Sequence, residues 1–191
     1  ATTTTFNGTV AGGGFNLGLT GNAVFGDATT DTVTGLGTLA VSGTTTINTA
    51  TVTSAGTQTY NGAVTLGADT TLTTTDSTVL FSSTVDSTGG ARDLTVSAGT
   101  GAITFTGAVG GTAALDALAL NSTGTTTLTA AVTAGSLATN AGGTTAINGG
   151  AVTTTGAQTY NDNVTLGANT ALSATTTTFN GTVAGGGFNL G

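Results

Sequence analysis

Polar positions alternate with small or apolar ones along most of the chain, as in Leu94-Thr95-Val96, Ile103-Thr104-Phe105 and Thr127-Leu128-Thr129. Period-two runs of β-branched residues predict short strands with one buried face. Gly-rich breaks such as Ala11-Gly12-Gly13-Gly14 and Gly89-Gly90 separate them. Glycine accepts positive φ and so permits tight corners. A helical period is nearly absent. The one stretch with any helix signal is AALDALAL (residues 113–120), and its leucine spacing fits a strand, which is the reading adopted.

The pattern repeats at three scales. Residues 1–18, ATTTTFNGTVAGGGFNLG, recur unchanged as residues 174–191, an offset of 173. Chance does not produce such a match even in a biased composition. Residues 1–173 therefore read as one long repeat unit and 174–191 as the start of the next. Within the unit, residues 146–172 resemble residues 46–72 at an offset of 100. Below that runs an aromatic-x-x-x-Val motif: Phe6/Val10, Tyr60/Val64, Phe81/Val85, Phe105/Val109, Tyr160/Val164 and Phe179/Val183. Degenerate copies begin at Ile47, Leu128 and Ile147, and many successive starts lie 19 to 24 residues apart.

Short parallel strands, glycine corners and a coil of about 20 residues predict an all-β fold, a parallel β-helix or β-solenoid. One coil is a flat turn that cannot bury its apolar residues alone. Stacked coils place Phe on Phe and Val on Val at a spacing of about 4.8 Å and so share a thin continuous core. The large apolar residues are too few for a broad globular core but suffice for a narrow one. The absence of proline agrees, because every strand must donate to the coils above and below. A 173-residue unit would then hold roughly eight coils and rise about 38 Å.

Composition changes the functional picture more than the fold. The 191 residues include no Cys, Met, Pro or His, and charged residues make up 5%. Eight Asp stand against one cation, Arg92, for a net charge of −7. Most general bases, nucleophiles and soft-metal ligands are missing, so no enzyme activity, cofactor or metal is expected. A single cation leaves no basic footprint for nucleic acid or anionic lipid. No run approaches the roughly 18 apolar residues of a membrane-spanning helix, so membrane insertion of this segment is not expected. Lacking lysine, the chain offers tryptic proteases one site, after Arg92, which suits an exposed extracellular polymer.

The T-F-N-G-x-V units, the segment Gly90-Ala91-Arg92-Asp93-Leu94-Thr95 and the Thr/Gly/Asn richness resemble large bacterial exoproteins. These are the filamentous-haemagglutinin-like and autotransporter-passenger-like proteins. The resemblance is compositional and periodic and covers the whole chain. It implies a right-handed β-helical shaft belonging to a secreted or surface-displayed filament or giant adhesin. Expected partners are copies of itself along a filament, and other cells or surfaces.

Each candidate group has a structural reading. The aromatic and valine residues of the repeated motif are expected to stack in the core; the competing reading is exposed Tyr60 and Tyr160 that bind glycans. Asn7, Asn61, Asn161 and Asn180 follow the aromatics and are expected to form a corner ladder or to adopt turn geometry. Asp27 and Asp31 are expected to be solvated corner carboxylates, since the calcium-binding nonapeptide motif is missing. Thr-x-Thr pairs are similar to those of ice-binding β-helices. Here they are spread over every segment, so ladders that shield strands are the expectation.

Overall fold

The computed structural model describes residues 2–191. Among these residues there is no helix, and the strands stack in parallel into a β-solenoid of about 9 turns. Three faces recur in each turn. Face one starts with Thr3–Phe6, Asn22–Phe25, Thr45–Ile47, Val64–Leu66 and Val85–Ser87. Face two starts with Val10–Ala11, Thr32–Leu36, Thr51–Ser54, Thr70–Thr74 and Leu94–Gly99. Face three runs from Leu17–Leu19 and Leu39–Val41 through Gln58–Tyr60, Val79–Phe81 and Ile103–Phe105. The stretch with the one helix signal is extended, forming the strand Leu115–Ser122.

Alternation does the sorting. Strands such as Thr70–Thr74 and Val64–Leu66 bury every second residue and turn the others outward, as a pleated strand must. The inward residues form columns along the axis. One runs Val64, Val85, Val109, Val132, Val152, Leu172. A second runs Val10, Val33, Val52, Leu72, Val96, Leu120. A third begins Leu19, Val41, Tyr60, Phe81, Phe105 and continues Leu128, Ile147, Leu166. Each coil contributes only a few apolar side chains, yet those in the middle coils are almost completely buried, because the coils above and below complete their cover.

Corners are shaped where side chains cannot fit. A Cβ on Gly67 would strike the Asn48 carboxamide of the preceding coil, and one on Gly167 would strike Asn148. The pairs are related by the 100-residue offset, so the repeat preserves a packing requirement. Two corners are skipped: Leu115–Ser122 and Val132–Thr139 run continuously from face one onto face two. That continuity joins the two faces into one sheet.

The coil repeat and the sequence repeat are out of phase. Phe6 lies on face one, whereas its copy Phe179 lies on face two, beside Tyr160. Val10 is on face two and its copy Val183 on face three. Local conformation is nevertheless retained: Gly13 and Gly186 share a φ of 58°. Phe15 and Phe188 each close the same turn by donating from N–H to the carbonyl three residues earlier. Counted face by face, the 173-residue offset advances twenty-five faces, which is eight turns and a third. Tyr60 and Tyr160 likewise differ in face.

Burial fixes where truncation hurts. Leu94, central and fully buried, is expected to lose about 3 kcal/mol on Leu94→Ala, from transfer and cavity terms together. Leu17, half-buried in the first coil, is expected to lose less than half of that. Urea unfolding followed by circular dichroism checks the ranking, and equal losses at both sites would contradict a core built from stacked coils.

Candidate functional surfaces

The aromatic residues do not share one column. Phe6 and Phe25 stack on face one with ring centroids 5.5 Å apart. Tyr60, Phe81 and Phe105 stack on face three, at 5.2 Å and 4.6 Å, with their planes within 10° of parallel. Tyr160 and Phe179 stack on face two at 5.1 Å. A single aromatic-x-x-x-Val motif thus serves three different faces. The Val partner always falls on the next face: Val64, Val85 and Val109 stand in the face-one column, while Val164 and Val183 pair on face three. Burial follows height in the stack. Tyr60, Phe81, Phe105 and Tyr160 are enclosed, whereas Phe6, Val10 and Phe179 are half-buried and Val183 is exposed.

Both tyrosines are inside, which leaves neither ring free to lie against a sugar. Their hydroxyls are satisfied by a feature absent from the sequence reading. Tyr60 Oη donates to Gln58 Oε1 at 3.0 Å, and Gln58 Nε2 donates to the carbonyls of Val52 and Thr73. The same bracket recurs as Tyr160, Gln158, Val152 and Ser173. A buried amide and phenol that satisfy each other avoid the penalty of unpaired polar groups. Burial also pushes both phenols well above the usual tyrosine range. The signal was present in the chain: Gln-Thr-Tyr occurs at both 58–60 and 158–160, placing a polar residue at an inward position.

The asparagines divide. Asn180 Nδ2 donates to Asn161 Oδ1 at 2.6 Å, one rung of a ladder on the corner after face two. Asn161 also donates to the Thr139 carbonyl. Asn61 stands on a different corner and accepts from Ser82 Oγ at 3.4 Å. Asn7 is exposed at the first coil. The four therefore occupy three corners, Asn161 and Asn180 sharing one, because the aromatics they follow occupy three faces.

Most carboxylates cap backbone. Asp69, Asp76, Asp86 and Asp93 each accept an N–H from the following coil, from Asp93, Thr100, Thr112 and Ala117 respectively. Asp31 Oδ2 accepts from the N–H groups of Asp27 and Ala28, closing a local turn. Among the described residues no group of three acidic, His or Cys side chains is placed to hold a metal ion. Asp162 differs from the rest, being 1% exposed. It accepts from Gly143 N–H at 2.8 Å and Thr145 Oγ1 at 3.1 Å. Burial pushes its carboxyl above the usual range, and these two hydrogen bonds offset part of that.

Threonine is more ordered than its scatter along the chain suggests. On the outer side of face two, Thr32, Thr51, Thr71 and Thr95 form one column, and Thr53, Thr73 and Ser97 form the next. These seven hydroxyls make a rectangular array spaced about 4.8 Å along the axis and about 6.6 Å across it. The expectation of irregular threonines is corrected on this one face. The bends between strands bring residues far apart in sequence into one plane. The array ends where Ala119 follows Thr95 and Asn121 follows Ser97.

Comparison with known proteins yields no match to a family model, a curated protein or a solved structure.

Asp162 provides a pH test. Its folded pKa is raised, so the folded state holds the proton more tightly than the unfolded chain does. Stability from this group is present at acid pH and is lost as pH rises from the ordinary Asp value, about 4, through the raised one. Asp162→Asn keeps an acceptor for Gly143 and removes the buried charge. The variant is expected to melt above the parent at about pH 7, with the gap closing toward about pH 3. Thermal melts across that range check it, and a parent more stable than the variant at neutral pH refutes it.

Proposed function

We propose that this chain is a non-catalytic structural protein, a segment of the shaft of an extracellular filament or giant surface adhesin. The observation that supports it best is the in-register stack of about 9 parallel coils. In such a stack the inter-strand hydrogen bonds run along the long axis, so tension is shared by bonds on all three faces at each level. Nearest-neighbour stacking lets stability grow with the number of coils. A narrow core of stacked rings and valines excludes water without a wide domain. The resemblance of the T-F-N-G-x-V units to bacterial exoprotein shafts points the same way, as does the single tryptic site. The chain then acts as a spacer that holds something else away from a cell surface.

Immunogold labelling of intact source cells with antibodies raised against the chain tests this reading. Label along thin surface filaments is the expected result. Label confined to the interior of permeabilised cells would overturn it.

A second reading, an ice-binding face, is favoured by one observation, the seven-hydroxyl array on face two. A flat lattice of hydroxyls and methyls is suited to ordering water. It predicts measurable thermal hysteresis for the chain, lost on Thr71→Tyr, which would raise a ring out of the plane. A freezing-point measurement showing no hysteresis removes this reading.

A further inference from the structure

Charge is distributed unevenly round the solenoid. Asp27, Asp31, Asp69, Asp93 and Asp116 lie on the corner between faces one and two, with Arg92 among them. Asp86 points outward from face one, beside that corner. Asp76 and the buried Asp162 stand on the corner between faces two and three. Among the described residues, face three and the corner leading from it to face one carry no charged side chain. In a three-sided solenoid that face lies opposite the acidic corner. We infer that face three is a lateral interface, on which a second copy of this chain docks side by side, face three against face three.

Face three is also the most regular of the long sheets. Its nine strands pair in unbroken register. Face two, by contrast, shifts register at Val33/Leu36 and at Ser97/Gly99. Each strand of face three turns one residue of a single column outward. That column is built of Gly, Ala and Thr, with Leu80 as its one large apolar member. Leu80 stands half-buried between Thr59 and Thr104. Short side chains without charge let two such sheets approach closely and exclude water between them.

The area suffices for a stable pair. The nine strands, spaced about 4.8 Å apart, give a length of about 43 Å. A third of a coil of about 20 residues spans about 22 Å at the usual rise per residue. One side of the solenoid therefore offers about 950 Å², against the about 800 Å² per partner that a stable complex buries. Docking through face one or face two would place the acidic corner at the rim of the contact. Through face three, the acidic corners of the two copies end roughly 40 Å apart, well beyond a Debye length of about 8 Å.

The outward column also selects an orientation. A twofold axis parallel to the solenoid sets every rung against its own copy, as a self-complementary interface requires. All nine rungs then overlap and Leu80 meets Leu80. An antiparallel pair keeps full overlap only by setting Leu80 against Thr127. In the parallel pair, each Asp76 faces the charge-free corner of the other copy. The pairing does not rest on the shaft reading above, and it leaves the threonine array of face two open to solvent.

Sedimentation of the chain over a range of concentrations is expected to show a monomer–dimer equilibrium. Leu80→Asp places two like charges at the contact and is expected to raise the dissociation constant about a hundredfold or more. Thr46→Asp lies on the outward side of face one, in the column that already holds Asp86. It is expected to leave the constant within about threefold of the parent. Circular dichroism matched to the parent establishes that each variant folds. Orientation is read by single cysteines, since the chain has none of its own. Ala40→Cys and Thr104→Cys, treated with a bismaleimide spanning about 10 Å, the usual distance between facing sheets, are both expected to give covalent dimers. Thr46→Cys is expected to give none. Cross-linking of Thr104→Cys without Ala40→Cys overturns the parallel pair. A parent that stays monomeric at every concentration, a dimer untouched by Leu80→Asp, or one weakened equally by Thr46→Asp overturns the interface. None of these outcomes bears on the shaft reading, which stands or falls by the surface labelling described for it.

Discussion

Everything in this fold depends on one relation, the in-register pairing of each strand with its counterpart in the neighbouring coil. That pairing satisfies the backbone, and the same translation lays each inward side chain on the equivalent one of the next coil. Hydrogen bonding and hydrophobic cover are therefore a single geometric condition. A coil alone fails both: its strands have no partners and its few apolar side chains have no cover. The half-buried Phe6 and Phe179 at the ends, against the enclosed Phe81 and Phe105 in the middle, show how quickly cover is gained.

The unit that the sequence repeats is a face rather than a turn. Each face needs the same parts: an inward-outward-inward strand, then a corner built from Gly, Asn or Asp. Because the requirements are equal, the segment TTTTFNGTV can occupy faces one and two near the N-terminus and faces two and three near the C-terminus without changing shape. A repeat of twenty-five faces does not divide by three, so equivalent residues move one face round. The same shift carries Phe179 off the face that Phe6 occupies.

Polar groups inside so thin a core must be settled locally. Gln58 and Tyr60 close on each other and on two carbonyls, and Gln158 and Tyr160 repeat the arrangement on another face. Aspartates along the corners take up N–H groups that the strand ladder leaves free, as Asp76 does for Thr100. The few charges in this chain act mainly as hydrogen-bond acceptors for backbone. Asp162 shows the same role carried into the interior, where its charge is held against desolvation.

Strand content, parallel stacking and coil length were legible in the chain. Alternation dictates which side chains turn inward, glycine marks corners, and recurring aromatic-x-x-x-Val units set the spacing. These signals are local or periodic, so a linear reading captures them. The face on which each motif lands was decided only in three dimensions, because it depends on the running sum of strand and corner lengths, including the two corners that are skipped. Long-range neighbours follow from that sum: Asn161 beside Asn180 but far from Asn61, Thr71 between Thr51 and Thr95, Gln58 beneath Val52 and Thr73. One residue more or less at any corner would leave every local pattern intact and change all of them.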